Sequence, residues 1–469
     1  MCTVRRPDTA DTIAAIATPA GPGALGVVRL TGVRAGPLAA RLFRPSRAMT
    51  PFPPARTAVL GTAMAPGRGG QPEFLDQGVL LFFPASASPT GEDLVEFTLH
   101  GSPLVLATFL EAATRAGARP ALPGEFTYRA FLNGRLDAVQ AEAIDDLIRA
   151  RTRQQARAAH RQQTGALSRA VEKPRSLLVE WLARIEGSIE FSATEEDDFL
   201  DRAALVDGLR EVRRQLDVLV DGATCGLALR GGVRVVLAGR VNTGKSSLFN
   251  QLVGFPRTIV AAAPGTTRDT VEAQLDWDGL LVTLVDTAGD RSGTDLDPVE
   301  SEGQRRSRME CREADLILWL VDPRSDVGPP SGPPPPGGAV RLLVVSKSDL
   351  GPPADPEGIA RAAAPATPVV VSGKTGAGTD QLRRRVLEIL APGWDPECVP
   401  LVTRLRQKQC LEKAVAAVEE ALGLARDGAG EELIALPLHA ARTELGELTG
   451  RGGLGEIYEK IFATFCIGK

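Results

Sequence analysis

The sequence predicts a multidomain α/β protein with an α+β amino-terminal domain, an all-α domain, and a doubly wound α/β domain inserted into the all-α domain. Three observations lead to this fold class. The chain has 469 residues, which is too long for one hydrophobic core and suggests about three domains. Near its middle, an apolar β-branched run leads into a glycine-rich loop and then a helical pattern. Helical periodicity precedes and follows that segment, which predicts an insertion.

The composition is typical of a globular protein and excludes several functional classes. It is 43% hydrophobic and 24% charged, and no apolar run approaches the ~20 residues of a membrane span. The six cysteines are scattered without a C-x-x-C pair or neighbouring histidines, which argues against a zinc site and predicts reduced thiols in a cytoplasmic protein. The net charge of −4 shows no general basic excess, so any contact with nucleic acid is local or shared with a partner.

The amino-terminal segment, residues 1–134, is predicted to be the α+β domain. The stretches DTIAAIATP and GALGVVRLTG are typical of strands, and SPLVLATFLEAATRAG is typical of a helix. Ser102 and Pro103 favour the start of that helix, and Gly117 favours its end.

Two strands of this domain carry a charge among apolar residues. In DLVEFTLHG the residues Val95, Phe97 and Leu99 share one face and Glu96 lies on the other. Arg29 likewise interrupts the apolar strand GVVRLTG. A buried charge is costly unless it is paired, so each of these two charges needs a partner. The simplest interpretation is that both are solvated on an outer face.

Residues 135–228 and 392–469 are predicted to form one all-α domain around the inserted segment. Within SLLVEWLARIEGSIEF the apolar positions recur at helical spacing, at Leu178, Leu182, Ile185 and Ile189. Such a stripe is typical of a helix that packs into a core. The acidic run TEEDD that follows is predicted to be a solvated turn.

Residues 229–391 are predicted to form the inserted domain, whose strongest signal is VRVVLAGRVNTGKSSLFNQLVG. The strand leads to Gly239, and the spacing G-x-x-x-x-G-K-[ST] runs through Gly244, Lys245 and Ser246 into a helix. Glycines there let backbone N–H groups face phosphate oxygens, and the helix N-terminus adds its positive dipole. Lys245 is placed for the outer phosphates and Ser246 for magnesium.

Two further motifs are those of a magnesium-dependent switch. LVTLVDTAG ends a strand on Asp286, a carboxylate for the outer shell of magnesium, and on Gly289, whose N–H suits the γ-phosphate. Between the phosphate loop and Asp286 lies AAAPGTTRDT. Thr267 in that stretch is predicted to close over the γ-phosphate and complete magnesium coordination.

Two strand ends are predicted to read the base. RLLVVSKSD ends on Lys347 and Asp349, and the Asp349 carboxylate suits the guanine N1–H and 2-amino groups, which adenine does not offer in that pattern. PVVVSGKTG supplies a backbone loop, residues 372–374, against O6 of the base. Ser346 stands where this motif usually begins with Asn, so we expect guanine selectivity with reduced affinity. Strands alternate with helical stretches, which indicates a Ras-like doubly wound GTPase domain.

The whole chain resembles the MnmE (TrmE) family of tRNA-modification GTPases. The blocks PGEFTYRAFLNGRLD and QAEAIDDLI, the motifs GRVNTGKSSLFN, GTTRD and DTAG, and the terminal CIGK are all similar to that family. The resemblance runs from about residue 11 to the end of the chain, and the joint presence of these regions is specific. Asp290 stands where Ras-like proteins place a water-orienting glutamine, so hydrolysis needs another residue.

The resemblance implies that potassium takes the place of an arginine finger when the G domains pair across a dimer. The potassium ligands of the family match Asn242, Ala261, Ala263 and Thr266, the two alanines acting through their carbonyls. A cation between the β- and γ-phosphates neutralises charge that builds up during phosphoryl transfer. The resemblance therefore implies a potassium-activated GTP hydrolase.

The resemblance also supplies a catalytic set. The family's water-orienting glutamate matches Glu300 in PVESEG, with Glu302 as the competing candidate. Glu300, Lys245 and Arg268 are the predicted catalytic residues. The predicted GTP-binding residues are Asn242, Thr243, Gly244, Lys245, Ser246, Ser247, Ala261, Ala262, Ala263, Pro264, Gly265, Thr266, Thr267, Asp286, Thr287, Ala288, Gly289, Ser346, Lys347, Asp349, Ser372, Gly373 and Lys374.

The amino-terminal part of the family binds a 5-formyltetrahydrofolate-type folate. The matching positions are Arg29, Glu96, Arg135 and the terminal Lys469. A carboxylate can accept from the amino edge of a pterin, and cations suit its oxo and carboxylate groups. Arg135 replaces the more usual lysine, which keeps the charge but changes the donor geometry. The apolar tail is predicted to dock at this pocket, in the same chain or in the dimer partner, with Cys466 either a reactive thiol or a small buried hydrophobe.

The partners that the resemblance implies are a second copy of the chain, tRNA and an FAD-dependent MnmG-like protein, in a heterotetramer without membrane association. The implied product is an aminomethyl or carboxymethylaminomethyl group at C5 of the wobble uridine. One alternative is a ribosome-assembly or RNA-binding GTPase of the Era/EngA type, which would lack the PGEFTYRAFLNGRLD block and CIGK. Another is a folate-binding protein with regulatory GTP control and no role on RNA.

Overall fold

The computed structural model describes residues 10–48, 53–67, 71–192, 200–254, 271–287, 298–322, 324, 340–352, 355–363, 367–395, 397, 399–451, 465 and 468. The description covers the backbone alone for residues 191, 192, 298–304, 306, 360, 362 and 363. The chain forms two compact units: the first comprises Met1–Asp145, Gln162–Arg169 and Thr443–Lys469, and the second comprises Asp146–Arg161 and Ala170–Arg442. Among the described helices, none is both long and apolar enough to cross a membrane.

The first unit is built on a mixed sheet. Its described strands are β1 (Ile13–Ile16), β2 (Gly23–Thr31), β3 (Phe43–Pro45), β4 (Val59–Pro66), β5 (Pro72–Phe83), β6 (Leu94–Gly101) and β7 (Arg119–Pro120). They lie in the order β3-β4-β5-β6-β2-β1-β7. Neighbours are antiparallel except β1 and β7, which run parallel.

Four helices accompany this sheet in sequence: α1 (Ala35–Leu42), α2 (Pro103–Ala116), α3 (Glu125–Leu132) and α4 (Ala138–Arg149). Helix α2 begins after Ser102 and ends at Gly117, whose φ of 115° is left-handed, as predicted. The apolar face predicted for β6 is buried in the core, with Val95, Phe97 and Leu99 at most 1% exposed. The charged alternate positions of β6 therefore lie on the opposite face.

Long helices follow in the chain: α5 (Arg153–Gln163), α6 (Ala166–Ser192), α7 (Arg202–Asp221) and α8 (Ala223–Gly231). The stripe predicted for α6 is confirmed at Leu178, Leu182 and Ile185, which are at most 3% exposed, whereas Ile189 is half-buried.

The inserted G domain begins directly after α8. Its described elements are β8 (Val233–Gly239), α9 (Lys245–Val253), β9 (Val271–Trp277), β10 (Leu280–Asp286), α10 (Pro298–Glu313), β11 (Leu316–Val321), β12 (Val340–Val345), α11 (Pro356–Ala363), β13 (Val369–Val370) and α12 (Thr379–Leu390). Two helices then return to the all-α part, α13 (Leu405–Arg426) and α14 (Glu431–Thr449).

The strands of the G domain lie in the order β13-β12-β11-β8-β10-β9. All described neighbours run parallel except β9, which is antiparallel to β10. Because the carboxyl ends of parallel strands share one edge, β8, β10, β11, β12 and β13 deliver their following residues to the same place. The predicted fold class, an α+β amino-terminal domain and an all-α domain interrupted by a Ras-like G domain, is confirmed.

Candidate functional site

The phosphate loop leaves β8 at Gly239 and enters α9 at Lys245. The Lys245 ammonium donates hydrogen bonds to the carbonyl oxygens of Gly239 at 3.0 Å and Arg240 at 2.9 Å. Its side chain therefore lies back across the loop, and the residue is only 7% exposed. A cation held in that position neutralises phosphate oxygens that the loop surrounds.

The backbone of this loop takes conformations that phosphate binding requires. Asn242 has a φ of 63° and Gly244 a φ of 92°, and alternation into the left-handed region turns successive N–H groups toward one concavity. Gly239 is also required in this loop, because a Cβ there would lie 2.5 Å from the Leu320 carbonyl oxygen. Asn242, the predicted potassium ligand, and Ser247 are both exposed at this loop.

Asp286 lies at the end of β10, beside the phosphate loop. Burial raises the pKa of its carboxyl, against a hydrogen bond from Ser246 and the positive charge of Lys245, which lower it. Its Oδ1 atom is buried and has no hydrogen-bond partner among the described residues. A hydroxyl and an unsatisfied carboxylate oxygen are hard oxygen donors of the kind that magnesium prefers. These two residues therefore fit a magnesium ion, directly through Ser246 and in its outer shell through Asp286.

Ser346 faces the phosphate loop rather than open solvent. Its hydroxyl oxygen lies 2.5 Å from the carbonyl oxygen of Thr243 and 3.0 Å from that of Val321. The residue is 2% exposed. Thr243 in turn donates from Oγ1 to the Arg240 carbonyl at 2.8 Å. The serine thus joins the end of β12 to the middle of the phosphate loop.

Lys347 is held by a residue that the sequence analysis did not single out. Its ammonium donates to Asp322 Oδ2 at 2.8 Å, and its backbone is left-handed, with a φ of 56°. The Lys347 hydrogen bond lowers the pKa of Asp322, although burial acts in the opposite direction. Asp322 directly follows β11 in LILWLVD. The position of Asp322 at the carboxyl end of a buried strand is the feature of the sequence that could have identified it as a site residue.

The two base-reading motifs contact each other. Ser372 Oγ donates to Asp349 Oδ1 at 2.6 Å and accepts from the backbone N–H groups of Lys374 and Thr375, both at 3.2 Å. The Ser372 hydrogen bond lowers the pKa of Asp349, so this carboxylate is an acceptor, as guanine requires. Gly373 lets the loop approach α9, because a Cβ there would lie 2.7 Å from the Leu248 nitrogen.

The remaining predicted nucleotide residues are placed as follows. Thr287 Oγ1 donates to the Leu237 carbonyl at 2.7 Å, which anchors the residue after Asp286 to β8. Glu300 and Glu302 lie in α10, where only the backbone is described. Twelve predicted site residues lie outside the described residues, namely Ala261, Ala262, Ala263, Pro264, Gly265, Thr266, Thr267, Arg268, Ala288, Gly289, Cys466 and Lys469.

Arg29 and Glu96, the two charges noticed in apolar strands, form a pair. They are directly opposed on β2 and β6, and Arg29 Nε lies 2.6 Å from Glu96 Oε1. Arg29 Nη1 also reaches the Gly468 carbonyl at 3.4 Å. Arg135 donates to the Ala85 carbonyl at 2.6 Å. The side chains of the pair remain 28% and 21% exposed, so a polar ligand can still reach them.

The described residues of the tail pack against the amino-terminal part of the first unit. Phe465 is 5% exposed and packs with Tyr128, Ala138 and Ala141. Gly468 has a φ of 90°, and a Cβ there would lie 2.5 Å from the Ile16 carbonyl oxygen. Only glycine allows so close an approach to β1 in this conformation, which explains the Gly in the terminal tetrapeptide.

A buried ion network in the same unit was missed from the sequence. The Arg129 guanidinium is 0% exposed and bonds Glu92 at 3.0 Å, Asp11 at 2.5 Å and Glu125 at 3.2 Å. Arg119 joins Asp11 and Glu125, each at 2.6 Å. Hydrogen bonds and opposite charges raise the pKa of Arg129 although burial lowers it. Glu125 and Arg129 belong to the block PGEFTYRAFLNGRLD, at helical spacing i, i+4.

A mainly parallel sheet with a phosphate loop after β8, a half-buried carboxylate at the end of β10 and predicted base-reading loops after β12 and β13 defines a P-loop GTPase. Residues 12–135 match the family model described as the GTP-binding protein TrmE N-terminus. Residues 139–466 match the one described as the MnmE helical domain. The chain belongs to the MnmE family, and it is a GTP hydrolase.

Relatives match almost the whole chain. It is 40% identical over 464 residues to the tRNA modification GTPase MnmE of Symbiobacterium thermophilum, covering 98% of this chain and 99% of that protein. It is 41% identical over 463 residues to the tRNA modification GTPase MnmE of Thermus thermophilus, with the same two coverages. A solved structure, the G domain of the T. maritima FeoB iron transporter, is 26% identical with a TM-score of 0.27, covering 34% of this chain and 98% of that one.

Proposed function

We propose that this chain hydrolyses GTP to drive modification of tRNA, installing an aminomethyl or carboxymethylaminomethyl group at C5 of the wobble uridine together with an FAD-dependent MnmG-like partner. The observation that carries the proposal is the contact of the tail with the Arg29–Glu96 pair through Gly468. It joins Gly468 to a candidate folate site in a chain that also has a candidate guanine nucleotide site. An Era-type GTPase has no need of such an arrangement.

For the GTP reaction, Lys245 binds the outer phosphates, and Ser246 with Thr267 holds magnesium, which supplies positive charge to the transferred phosphoryl group. Arg268 and Glu300 complete the catalytic set, with Glu300 orienting water. Support comes from the position of Lys245 across the loop and from the unsatisfied oxygen of Asp286 beside Ser246.

Potassium is the proposed activator, held by Asn242, by the carbonyls of Ala261 and Ala263, and by Thr266. It supplies charge that a Ras-like protein obtains from an arginine finger. Asn242 supports this role, since its left-handed backbone lies at the exposed turn of the phosphate loop.

The proposed carbon donor is a 5-formyltetrahydrofolate-type folate bound by Arg29, Glu96, Arg135 and Lys469. A paired carboxylate and guanidinium side by side offer an acceptor and donors to the amino and oxo edge of a pterin. The residual exposure of both side chains supports this role. Cys466 is three residues before Lys469 in the sequence. We propose that it acts as a reactive thiol at the folate site.

The proposed assembly is a homodimer whose G domains pair, joined by the MnmG-like protein in a heterotetramer that acts on tRNA in the cytoplasm. The proposed domain limits are 1–134 for the α+β domain, 135–228 and 392–469 for the two parts of the helical domain, and 229–391 for the G domain. Family membership over nearly the full chain supports it.

The test combines two measurements. Wobble uridines from a strain lacking this chain are analysed by mass spectrometry before and after complementation, and GTP turnover of the purified protein is compared in potassium and sodium. We expect loss of the modified uridine and faster turnover in potassium. Unchanged uridines alongside defective ribosome assembly would support an Era-type GTPase instead. Equal turnover in both salts would exclude the potassium mechanism alone.

A further inference from the structure

Helix α5 begins with a capping box whose side chains also bind outside the helix. Thr152 Oγ1 accepts from the Gln155 backbone N–H at 3.2 Å, and Gln155 Oε1 accepts from the Thr152 backbone N–H at 3.1 Å. This reciprocal arrangement satisfies two helix N–H groups that would otherwise lack partners. The sequence TRQQ matches the pattern S/T-x-x-E/Q. Both acceptor functions are therefore used by the helix itself.

The donor functions of the same two side chains bind the G domain and the helix that leads into it. The Thr152 hydroxyl donates to the Gly279 carbonyl at 2.7 Å. The Gln155 amide donates to the Leu229 carbonyl at 2.9 Å, in the last turn of the helix that leads into β8. Thr152 is 4% exposed and Gln155 8%. In such buried surroundings a lost donor leaves a carbonyl without a hydrogen-bond partner, which destabilises the contact.

The carbonyl that Thr152 binds lies at the tip of the β9–β10 hairpin. The turn residues Asp278 and Gly279 have φ values of 52° and 95°, the pattern of a tight type I′ turn. A Cβ at Gly279 would lie 2.2 Å from Gln154 Cγ, so glycine is required by the contact as well as by the turn. The tip is further held by Trp394, which donates to the Asp278 carbonyl at 3.2 Å.

The other end of this hairpin lies at the candidate nucleotide site. Strand β10 ends at Asp286, the proposed magnesium residue, and β9 begins at Val271, two positions after Asp269 of the GTTRD switch motif. The strands pair without interruption from Val271 opposite Asp286 to Trp277 opposite Leu280. Seven residues of strand span about 23 Å. One continuous two-stranded ribbon therefore joins the nucleotide edge to the start of α5.

A second contact ties together the chain segments that flank the inserted domain. Asp146 Oδ1 accepts from Arg230 Nε and from Arg404 Nη2, both at 2.7 Å, and Asp146 Oδ2 accepts from Arg404 Nε at 3.1 Å. Arg230 lies three residues before β8, and Arg404 directly precedes α13. One carboxylate therefore anchors a residue on each side of the inserted domain.

We propose that the Thr152–Gln155 capping box is the contact through which the nucleotide state of the G domain reaches the helical domain. The β9–β10 ribbon transmits the change, and Thr152 is a positioning residue for the coupled reaction rather than for GTP hydrolysis. This inference rests on the proposed function, because it names the route by which GTP turnover controls tRNA modification. Coupling between two sites typically changes the affinity at one site by about 5- to 150-fold when the other site is occupied.

The test compares Thr152→Val, which keeps the shape but removes the hydroxyl, with Thr152→Ser, which keeps the donor. Asp201→Ala is the matched control, since Asp201 caps α7 by accepting from Ala204 at 3.0 Å and its described contacts do not reach the G domain. Amide hydrogen exchange of residues 153–156 is measured with GDP and with a non-hydrolysable GTP analogue. GTP turnover and uridine modification are measured in parallel, and thermal unfolding confirms folded protein.

We expect exchange at the start of α5 to differ between the two nucleotides in the unaltered chain, in Thr152→Ser and in Asp201→Ala, but not in Thr152→Val. Thr152→Val should keep GTP turnover within about twofold and lose about fivefold or more of modification. Identical exchange with both nucleotides in the unaltered chain, or full modification by a folded Thr152→Val chain, would overturn the inference. Failure of the unaltered chain to modify tRNA would instead overturn the proposed function.

Discussion

The hydroxyl oxygen of Ser346 lies 2.5 Å from the carbonyl oxygen of Thr243, so the base-reading strand end is fastened to the phosphate loop. A serine hydroxyl has one proton to donate, and the Val321 carbonyl also lies within reach at 3.0 Å. No second donor remains for the base. Ser346 therefore keeps a cross-link between two loops of the site, and we expect guanine selection to depend on Asp349 and the loop after β13.

Replacing Ser346 by Ala should weaken GTP binding about fivefold, because one buried hydrogen bond of about 1 kcal/mol is lost. Ser346→Asn should bind GTP at least as tightly as the unaltered chain, since its amide has two protons to donate. Equilibrium titration with a fluorescent GTP analogue measures both. Ser348→Ala, in the same motif, is the control. Unchanged affinity of Ser346→Ala would show that the cross-link does not matter for binding.

The Asp349–Ser372 contact predicts a pH dependence of GTP binding. The hydrogen bond from Ser372 lowers the pKa of Asp349, so the carboxylate stays ionised to a lower pH than an ordinary aspartate. Binding is present above that pKa and is lost as the pH falls through it. In Ser372→Ala the loss should therefore begin at a higher pH, which titrations between about pH 6 and pH 4 would show. Thr375→Val is the control; a profile for Ser372→Ala identical to that of the unaltered chain would contradict the assignment.

Asp286→Asn should stabilise the nucleotide-free chain while it lowers activity. Burial raises the pKa of this carboxyl. At neutral pH, which lies above the ordinary aspartate pKa, its charged form therefore lowers the stability of the folded chain. An uncharged amide removes that destabilisation. GTP turnover should fall about 100-fold, because negative charge at the magnesium shell is lost. Thermal unfolding without nucleotide and turnover with magnesium measure the two effects. The exposed Asp380→Asn serves as control, and a lower melting temperature for Asp286→Asn would contradict this account.

Glu300→Ala should abolish GTP turnover and leave GTP binding within about twofold, since the water-orienting group acts only in the chemical step. Glu302→Ala, on the same helix, is both the control and the competing assignment. Single-turnover hydrolysis and nucleotide titration distinguish the two. If Glu302→Ala loses turnover and Glu300→Ala does not, the roles are exchanged.

Arg129→Met should destabilise the first unit by about 3–5 kcal/mol, because it removes the buried cation shared by three carboxylates and leaves Glu125, which is 1% exposed, with Arg119 alone. Arg115→Met is the matched control. Its partner Glu111 and Arg115 itself are both about 60% exposed, and an exposed pair is worth about 0–1 kcal/mol. Chemical denaturation measures the difference. Equal stability of the two variants would mean that the buried network does not contribute to folding.

The sequence by itself determined the fold class, the order of the GTPase motifs and the family. These depend on local rules, namely strand alternation, helical spacing and the G-x-x-x-x-G-K-[ST] loop, each visible within about twenty residues. Even the unusual Ser346 and the charge at Glu96 were recognisable as departures from a local pattern. The resemblance of the tail to CIGK predicted docking, which Phe465 and Gly468 show.

Only the tertiary structure decided which distant residues meet. Arg129 finds Asp11 across 118 residues, and Thr152 finds Gly279 across 127. No local spacing encodes such pairs, because they depend on where whole helices and strands pack. The orientation of the Ser346 hydroxyl toward the phosphate loop is of the same kind. The Ser346 hydroxyl has one proton, and its possible acceptors lie after separate strands. Which acceptor it binds is therefore determined only once the sheet has formed.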